Sequence, residues 1–311
     1  MSTETKLKIL KNVLGEGYTR ASESLFYCPR CEHHKKKLSV NIDKNVFKCW
    51  VCDWSGKNIY RIIRQYGHQQ DKFEWKSLFS EVEILNFKTD IFSKPEKIKQ
   101  KIELPREFVS LANKNLPSTS VRPLNYLLSR GLTEQDIVRW KIGYCPAGEF
   151  ASRIVVPSFD ASGELNYFVT RTYAQDWKKY MNPGVSRDII FNHPYLDFDD
   201  DLILVEGVFD AIRAGTNSAP LLGSTLNENS CLFYEIVKND TPVYLGLDPD
   251  AELKINKIVS LLLKYDVEVY KIEIAPYLDI AEMPKEEFLK RKKTATVLNN
   301  DNYLLSKIEG I

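Results

Sequence analysis

Two groups of residues in this 311-residue chain have the types and spacings that support chemistry. Cys28-Pro-Arg-Cys31 and Cys49-Trp-Val-Cys52 form two C-x-x-C pairs separated by 17 residues. Each pair sets two thiolates on one tight turn, and a hairpin of the intervening length brings the turns together. Four sulfurs then surround a tetrahedral zinc ion and leave no position open for water, so one structural Zn2+ is expected. A disulfide framework is the competing reading, but the sequence shows no apolar leader and a reducing compartment keeps thiols free. His33 and His34 follow Cys31, where four thiolates already saturate a metal. They are read instead with Lys35, Lys36 and Lys37 as donors to phosphate. Lys48, Trp50 and Trp54 extend this surface, because bases stack on aromatic rings while cations follow the backbone. At least one of the two tryptophans is equally expected to pack the small core.

The second group is acidic. Glu206 ends the apolar run Leu202-Ile-Leu-Val205, Gly207 permits a sharp exit into a helix, and Asp210 falls one turn later. Tyr244-Leu-Gly-Leu-Asp248-Pro-Asp250 ends a second run with two aspartates at i, i+2, a spacing that directs both to one side of an extended segment. The carboxyl ends of parallel strands face the ligand crevice of an open α/β sheet, so Glu206, Asp248 and Asp250 are expected to converge. Anions packed together raise one another's pKa unless a cation intervenes. Oxygen ligands of this kind suit Mg2+ or Mn2+, and one to three such ions would serve phosphoryl transfer. Helix capping explains one such carboxylate but not three at neighbouring strand ends.

The positioning elements follow from pattern. Val40 and Ile42, then Val46 and Phe47, flank Asp43-Lys-Asn45 as two strands and a turn between the cysteine pairs. Ile59, Ile62, Ile63 and Tyr66 have helical spacing. Residues 1–70 are therefore a β-rich zinc ribbon, and residues 71–104, charged and without a clean period, are a linker with room for one short helix. Residues 105–200 alternate a helix over Leu124 to Arg130 with strands over Arg153 to Phe159 and Leu165 to Arg171, an α+β subdomain. Residues 201–311 read as strand Leu202 to Val205, helix Val208 to Ala214, strand Pro242 to Leu247, helix Ala251 to Lys264 and strand Val267 to Ile274, with a helical C-terminal segment. That alternation implies a Rossmann-like parallel sheet within an α/β protein overall.

The net charge of +1 conceals an asymmetry. Residues 1–70 hold 13 Lys/Arg against 6 Asp/Glu, residues 71–200 hold 18 of each, and residues 201–311 hold 12 against 18. A basic head suits a phosphate backbone, and the acidic end needs metal ions to approach one. No apolar run is long enough for a membrane span, so no membrane partner and a cytoplasmic location are expected. No G-x-x-x-x-G-K-[ST] loop is present, which argues against a fused helicase motor.

With both groups in hand, the chain resembles bacterial-type replicative primases and, more closely, their phage counterparts. The cysteine pairs followed by Asp53-Trp-Ser-Gly56 look like the primase zinc-binding domain. Tyr126-Leu-Leu-Ser-Arg-Gly131, Ile142-Gly-Tyr144, Arg153-Ile154, Asp160-Ala-Ser-Gly163 and Lys179-Tyr-Met-Asn-Pro183 resemble successive motifs of the primase core. Glu206-Gly-Val-Phe-Asp210 with Asp248-Pro-Asp250 is similar to the toprim fold, and Asp279-Ile-Ala-Glu282 resembles the acidic motif after its sheet. Ala251-Glu-Leu-Lys254 follows the second aspartate where the family carries a glycine. The resemblance implies template-directed synthesis of short RNA primers on single-stranded DNA from NTPs, in the host cytoplasm if phage-encoded, beside a separate replicative helicase. It implies metal-binding roles for Glu206, Asp248, Asp250, Asp210 and Asp279, with Glu206 also accepting the hydroxyl proton. Arg153, Arg171, Lys178, Lys179 and Asn182 become candidates for gripping nucleotide or template.

Two other classes fit parts of this pattern. A non-catalytic DNA-binding adaptor of the recombination-mediator kind also joins a zinc finger to a toprim-like fold, but need not keep every acidic position. A toprim nuclease or topoisomerase shares the carboxylates, and a topoisomerase needs a tyrosine nucleophile on a large strand-passage domain, for which the chain leaves little room.

Overall fold

The computed structural model describes residues 3–20, 23–56, 58–78, 102–215, 217–265 and 267–298. Its contacts divide the chain between residues 93 and 94 into two units.

The first unit opens with helix α1 (Thr3–Leu14). An antiparallel sheet follows, in chain order β1 (Tyr18–Arg20), β2 (Glu23–Phe26), β3 (Leu38–Asn41), β4 (Val46–Cys49) and β5 (Ser55–Gly56). The expected hairpin is β3 and β4, with Leu38 opposite Cys49 and Val40 opposite Phe47. These four side chains are buried with Ile9 and Leu10 of α1 and with Ile59, Ile62 and Ile63. The last two lie on α2 (Tyr60–Tyr66), the expected helix. A further helix, α3 (Gln69–Ser77), occupies the start of the stretch read as a linker, and its Trp75 is 2% exposed in the same core. It is the short helix that this stretch has room for, and because its other positions are largely polar one aromatic carries the burial. Residues 79–101 of the expected linker lie outside the described residues.

The second unit contains two sheets. The first is antiparallel, β6 (Val109–Ser110), β7 (Gly143–Cys145), β8 (Arg153–Phe159) and β9 (Leu165–Thr172). Helices α4 (Val121–Ser129) and α5 (Glu134–Arg139) lie between β6 and β7, and Thr133 and Asp136 cap α5 reciprocally. The second sheet comprises β10 (Leu202–Val205), β11 (Ser218–Pro220), β12 (Val243–Gly246), β13 (Val269–Lys271) and β14 (Thr296–Leu298), in the order β11-β10-β12-β13-β14. The first four run parallel and β14 pairs antiparallel with β13. Every residue of β10 is buried, as a strand covered on both faces requires.

Helices α6 (Val208–Ala214), α7 (Cys231–Asn239), α8 (Glu252–Lys264) and α9 (Lys285–Lys293) complete the unit. Ile255, Ile258, Val259 and Leu262 form the buried stripe of α8 at helical spacing. One hydrophobic core runs through both sheets of this unit, joining Leu127, Tyr144 and Ile154 to Val205, Phe209 and Ile272. The expected α/β class with a parallel sheet is therefore observed. Strands β11 and β14 escaped the sequence reading because three residues cannot display a period.

Candidate functional site

The four cysteines meet. Cys28 and Cys52 Sγ are 3.8 Å apart, as are Cys31 and Cys49, and all four sulfurs lie within 4.8 Å of one another. A tetrahedron with Zn–S bonds of ~2.3 Å has edges of about 3.8 Å, so the sulfurs fit one zinc ion as they stand. The two turns are built alike. The backbone N–H groups of Arg30 and Cys31 face Cys28, and those of Val51 and Cys52 face Cys49. The residue after each pair, Glu32 and Asp53, adopts a left-handed conformation at φ 49° and 54°. Burial pushes the Cys28 thiol up to about 12. At Cys49 burial acts in the same sense, but the amides of Cys52 and Val51 and the thiols of Cys52 and Cys28 together outweigh it and hold the thiol at about 7. Four clustered thiols cannot all ionise without a cation, and zinc supplies it.

His33 and His34 stack on each other at 4.3 Å and stand apart from this group. The two tryptophans divide their roles: Trp54 is 3% exposed and packs edge-on to Phe47, whereas Trp50 is 65% exposed with Lys48 Nζ 5.1 Å above its ring. Lys48 and Trp50 border a groove of about 360 Å3 that also includes Glu23, Ser39, Asn41 and Ser55, the polar side of the ribbon sheet. Lys35 and Lys37 are exposed, and Lys36 lies over the exposed Tyr27 ring at 5.3 Å.

The acidic group gathers at the carboxyl ends of β10 and β12. Glu206 follows β10 directly and Asp248 lies two residues beyond β12. Asp210 sits in the first turn of α6, where Oδ2 accepts the Gly207 N–H at 3.0 Å and Oδ1 accepts the Ala281 N–H at 3.1 Å. That second bond fastens the Asp279–Glu282 turn, itself closed by the Glu282 N–H donating to Asp279 Oδ1 at 2.8 Å. Gly246 leaves room for the approach, since a Cβ there would stand 2.5 Å from Ile280 Cδ1. Burial, then the negative charge of Asp210, Glu206, Asp279 and Asp250, pushes Asp248 up to about 7. Burial, then Asp279, pushes Asp210 up to about 6. All five carboxylates therefore bear on one crevice. Among the described residues only the cysteines stand close enough to enclose an ion as placed. The carboxylates stand farther apart, and an ion among them would need water or phosphate to complete its ligands. Glu206 Oε1 is buried without a hydrogen-bond partner, an acceptor awaiting a ligand.

The basic candidates separate. Arg171 is half-buried, donating through Nε to Tyr126 Oη at 2.7 Å and through a second nitrogen to Tyr180 Oη. Lys178 and Lys179 are exposed, and Asn182 Oδ1 accepts the Thr170 N–H at 3.0 Å. Arg153 is 3% exposed, so the sequence expectation of a direct phosphate grip is corrected. Its guanidinium pairs with Asp176 and donates to the carbonyls of Lys178 and Lys179, anchoring their loop from below.

Three residues beside this surface escaped the sequence reading. Arg130 and Arg171 flank one ring, Phe209, at 5.4 and 5.3 Å, and Arg130 Nε is buried without a partner. Arg130 ends the Tyr126 to Gly131 motif, which was the available signal. Trp177 is 93% exposed next to Lys178, and Lys254 Nζ bonds Glu206 Oε2 at 2.7 Å. Neither announces itself by spacing.

The strand order and the acidic strand ends make an open, mostly parallel α/β sheet, here in a chain that also carries a four-cysteine ribbon unit. The fold is that of bacterial primases. The crystal structure of the Aquifex aeolicus primase zinc-binding and RNA polymerase domains matches with a TM-score of 0.51 at 21% identity, covering 96% of this chain and 87% of that one. The structure of the DnaG primase catalytic domain bound to ssDNA matches with a TM-score of 0.53 at 17% identity, covering 62% of this chain and 76% of that one. In sequence, the chain is similar to the DNA primases of Staphylococcus epidermidis and Thermotoga maritima, at 23% and 22% identity over 85% and 84% of its length. It spans about half the length of these curated relatives, 54% of each. No family model matches.

Proposed function

We propose that the protein is a DNA primase, a nucleotidyltransferase that makes short RNA primers on a single-stranded DNA template. The observation that supports this is the placement of Glu206 and Asp248 beyond neighbouring parallel strands, with Asp210 bonded to the Asp279–Glu282 turn, in a fold like that of primases. Glu206, Asp248 and Asp250 would hold Mg2+ or Mn2+, with Asp210 and Asp279 behind them. Such ions, when bound, stabilise charge on a transferring phosphoryl group and lower the pKa of the attacking 3′-hydroxyl. Glu206 would also accept that hydroxyl's proton. Arg171, Lys178, Lys179 and Asn182 would orient the triphosphate and the template backbone, with Arg153 positioning their loop. Orientation matters here because two nucleotides must be held together before any primer exists, which is an entropic problem.

The zinc unit, with Trp50, Lys48 and the Lys35 to Lys37 run, would contact the template strand. A separate replicative helicase is the expected partner, and the site of action is wherever that DNA is replicated, the host cytoplasm for a phage protein. No described helix is long and apolar enough to cross a membrane.

The test is to incubate the protein with single-stranded DNA of varied sequence, labelled NTPs and Mg2+, with and without a helicase, and to resolve the products. Template-dependent oligoribonucleotides that disappear in Glu206→Gln support the proposal. DNA binding with no product under any of these conditions favours the adaptor class, and strand cleavage favours the nuclease.

A further inference from the structure

A helix favours anions in its first turn and cations in its last, because its N-terminus carries partial positive charge. Helix α8 departs from this at Lys254, the third residue of Glu252–Lys264. The Lys254 side chain turns to the acidic crevice and meets Glu206, 48 residues earlier, at 2.7 Å. Both side chains are only 21% exposed, so the pair is screened by little water. Glu206 spends one oxygen on this ammonium, while its other oxygen is buried and unpartnered. The carboxylate best placed to ligate a metal thus already has a cation, held in place by the chain itself.

We infer that Lys254 is a tethered counter-ion of Glu206 that competes with a divalent cation for that carboxylate, so that this lysine sets the metal affinity of the crevice. The inference rests on reading the crevice as the metal site. Lys254 brings one positive charge and a divalent ion brings two, so exchange leaves the ammonium beside an excess of positive charge. A nucleotide triphosphate relieves that excess by giving the displaced lysine a phosphate to pair with. The flexible four-carbon stem allows the move without shifting the helix. Metal and nucleotide then strengthen each other's binding, and by linkage the effect is reciprocal.

The test is titration of the full-length protein with Mn2+ followed by electron paramagnetic resonance, with and without a non-hydrolysable NTP. The zinc site remains loaded, and the comparison is between wild type, Lys254→Gln and Lys254→Arg. Lys254→Gln is expected to bind Mn2+ about 5-fold or more tightly without nucleotide and to lose most of the nucleotide-induced gain. Lys254→Arg, which keeps the charge, is expected to stay close to wild type. Melting without divalent metal provides a second reading: Lys254→Gln should melt below wild type and recover with Mn2+. Equal Mn2+ affinities in wild type and Lys254→Gln, or weaker binding in Lys254→Gln, overturn the role of the lysine and leave the primase reading intact. If Glu206→Gln leaves Mn2+ uptake unchanged, the crevice is not the metal site and both readings fall.

Discussion

Arg153 lies beneath the loop that carries Lys178 and Lys179 and pairs there with Asp176, so a residue of the sheet interior holds an exposed basic loop in place. Removing the guanidinium leaves two backbone carbonyls without their donor and Asp176 with only the Lys178 N–H. Arg153→Ala should therefore lower stability by about 3 kcal/mol in chemical denaturation, the low end for a broken buried pair because Asp176 retains some solvent. Lys178→Ala and Lys179→Ala should leave stability within about 0.5 kcal/mol. Each should instead reduce the slope of log K against log salt for single-stranded DNA by about 0.7, as one phosphate contact is lost. Anisotropy titrations over a salt series separate the two kinds of basic residue.

The acidic crevice gives the metal-free protein a definite pH response. Asp248 and Asp210 have folded-state values of about 7 and about 6, above those of ordinary carboxyls. The native state thus binds more protons than the unfolded state between about pH 4 and pH 7, and stability must fall as pH rises through that window. Allowing for solvent around Asp248, the loss is on the order of 1 to 2 kcal/mol. Scanning calorimetry in chelator from pH 5 to 8 should show a falling melting temperature. Asp248→Asn should flatten the profile, and Mg2+ should restore stability at pH 8.

Zinc content should be about one ion per chain by mass spectrometry or a colorimetric release assay. Cys49→Ser, at a buried ligand that shares the core with Leu38, Val40 and Phe47 of the β3/β4 hairpin, should unfold the first unit. Cys52→Ser, at the exposed corner of the cluster, should weaken zinc retention while preserving more of the fold. Equal effects from the two serines would contradict this ranking.

The two tryptophans of the first unit should respond oppositely. Trp54→Ala should destabilise by about 3 to 5 kcal/mol, since it empties part of a small core. Trp50→Ala should leave stability nearly unchanged and weaken single-stranded DNA binding by about 1 to 3 kcal/mol, the range for loss of one stacked base. Trp177→Ala, at the exposed loop of the second unit, should behave as Trp50→Ala does. Fluorescence quenching by oligonucleotide in the single variants distinguishes the three indoles.

Much of this protein is legible from local pattern. The cysteine spacing alone specified a tetrahedral thiolate site, because a hairpin between two C-x-x-C turns has few other ways to close. The runs Leu202 to Val205 and Tyr244 to Leu247, each followed by acid, specified two neighbouring parallel strands with Glu206 and Asp248 just beyond their carboxyl ends. The short helix Gln69–Ser77 could be allowed for but not bounded, because its surface is polar, and the strands Ser218–Pro220 and Thr296–Leu298 were hidden by brevity.

What the tertiary structure alone decided is which partner each charged or aromatic side chain takes. Arg153 and Lys178 are both basic, yet one is buried under a loop and the other stands in solvent. Trp50 and Trp54 lie four residues apart, yet one faces water and the other the core. Lys254 reaches Glu206 across 48 residues, and Asp210 reaches the Ala281 amide across 71. Residue type and spacing determine which element forms and which charges it carries. Partnership between distant residues depends on how those elements pack, and packing is set by the whole core rather than by any local segment.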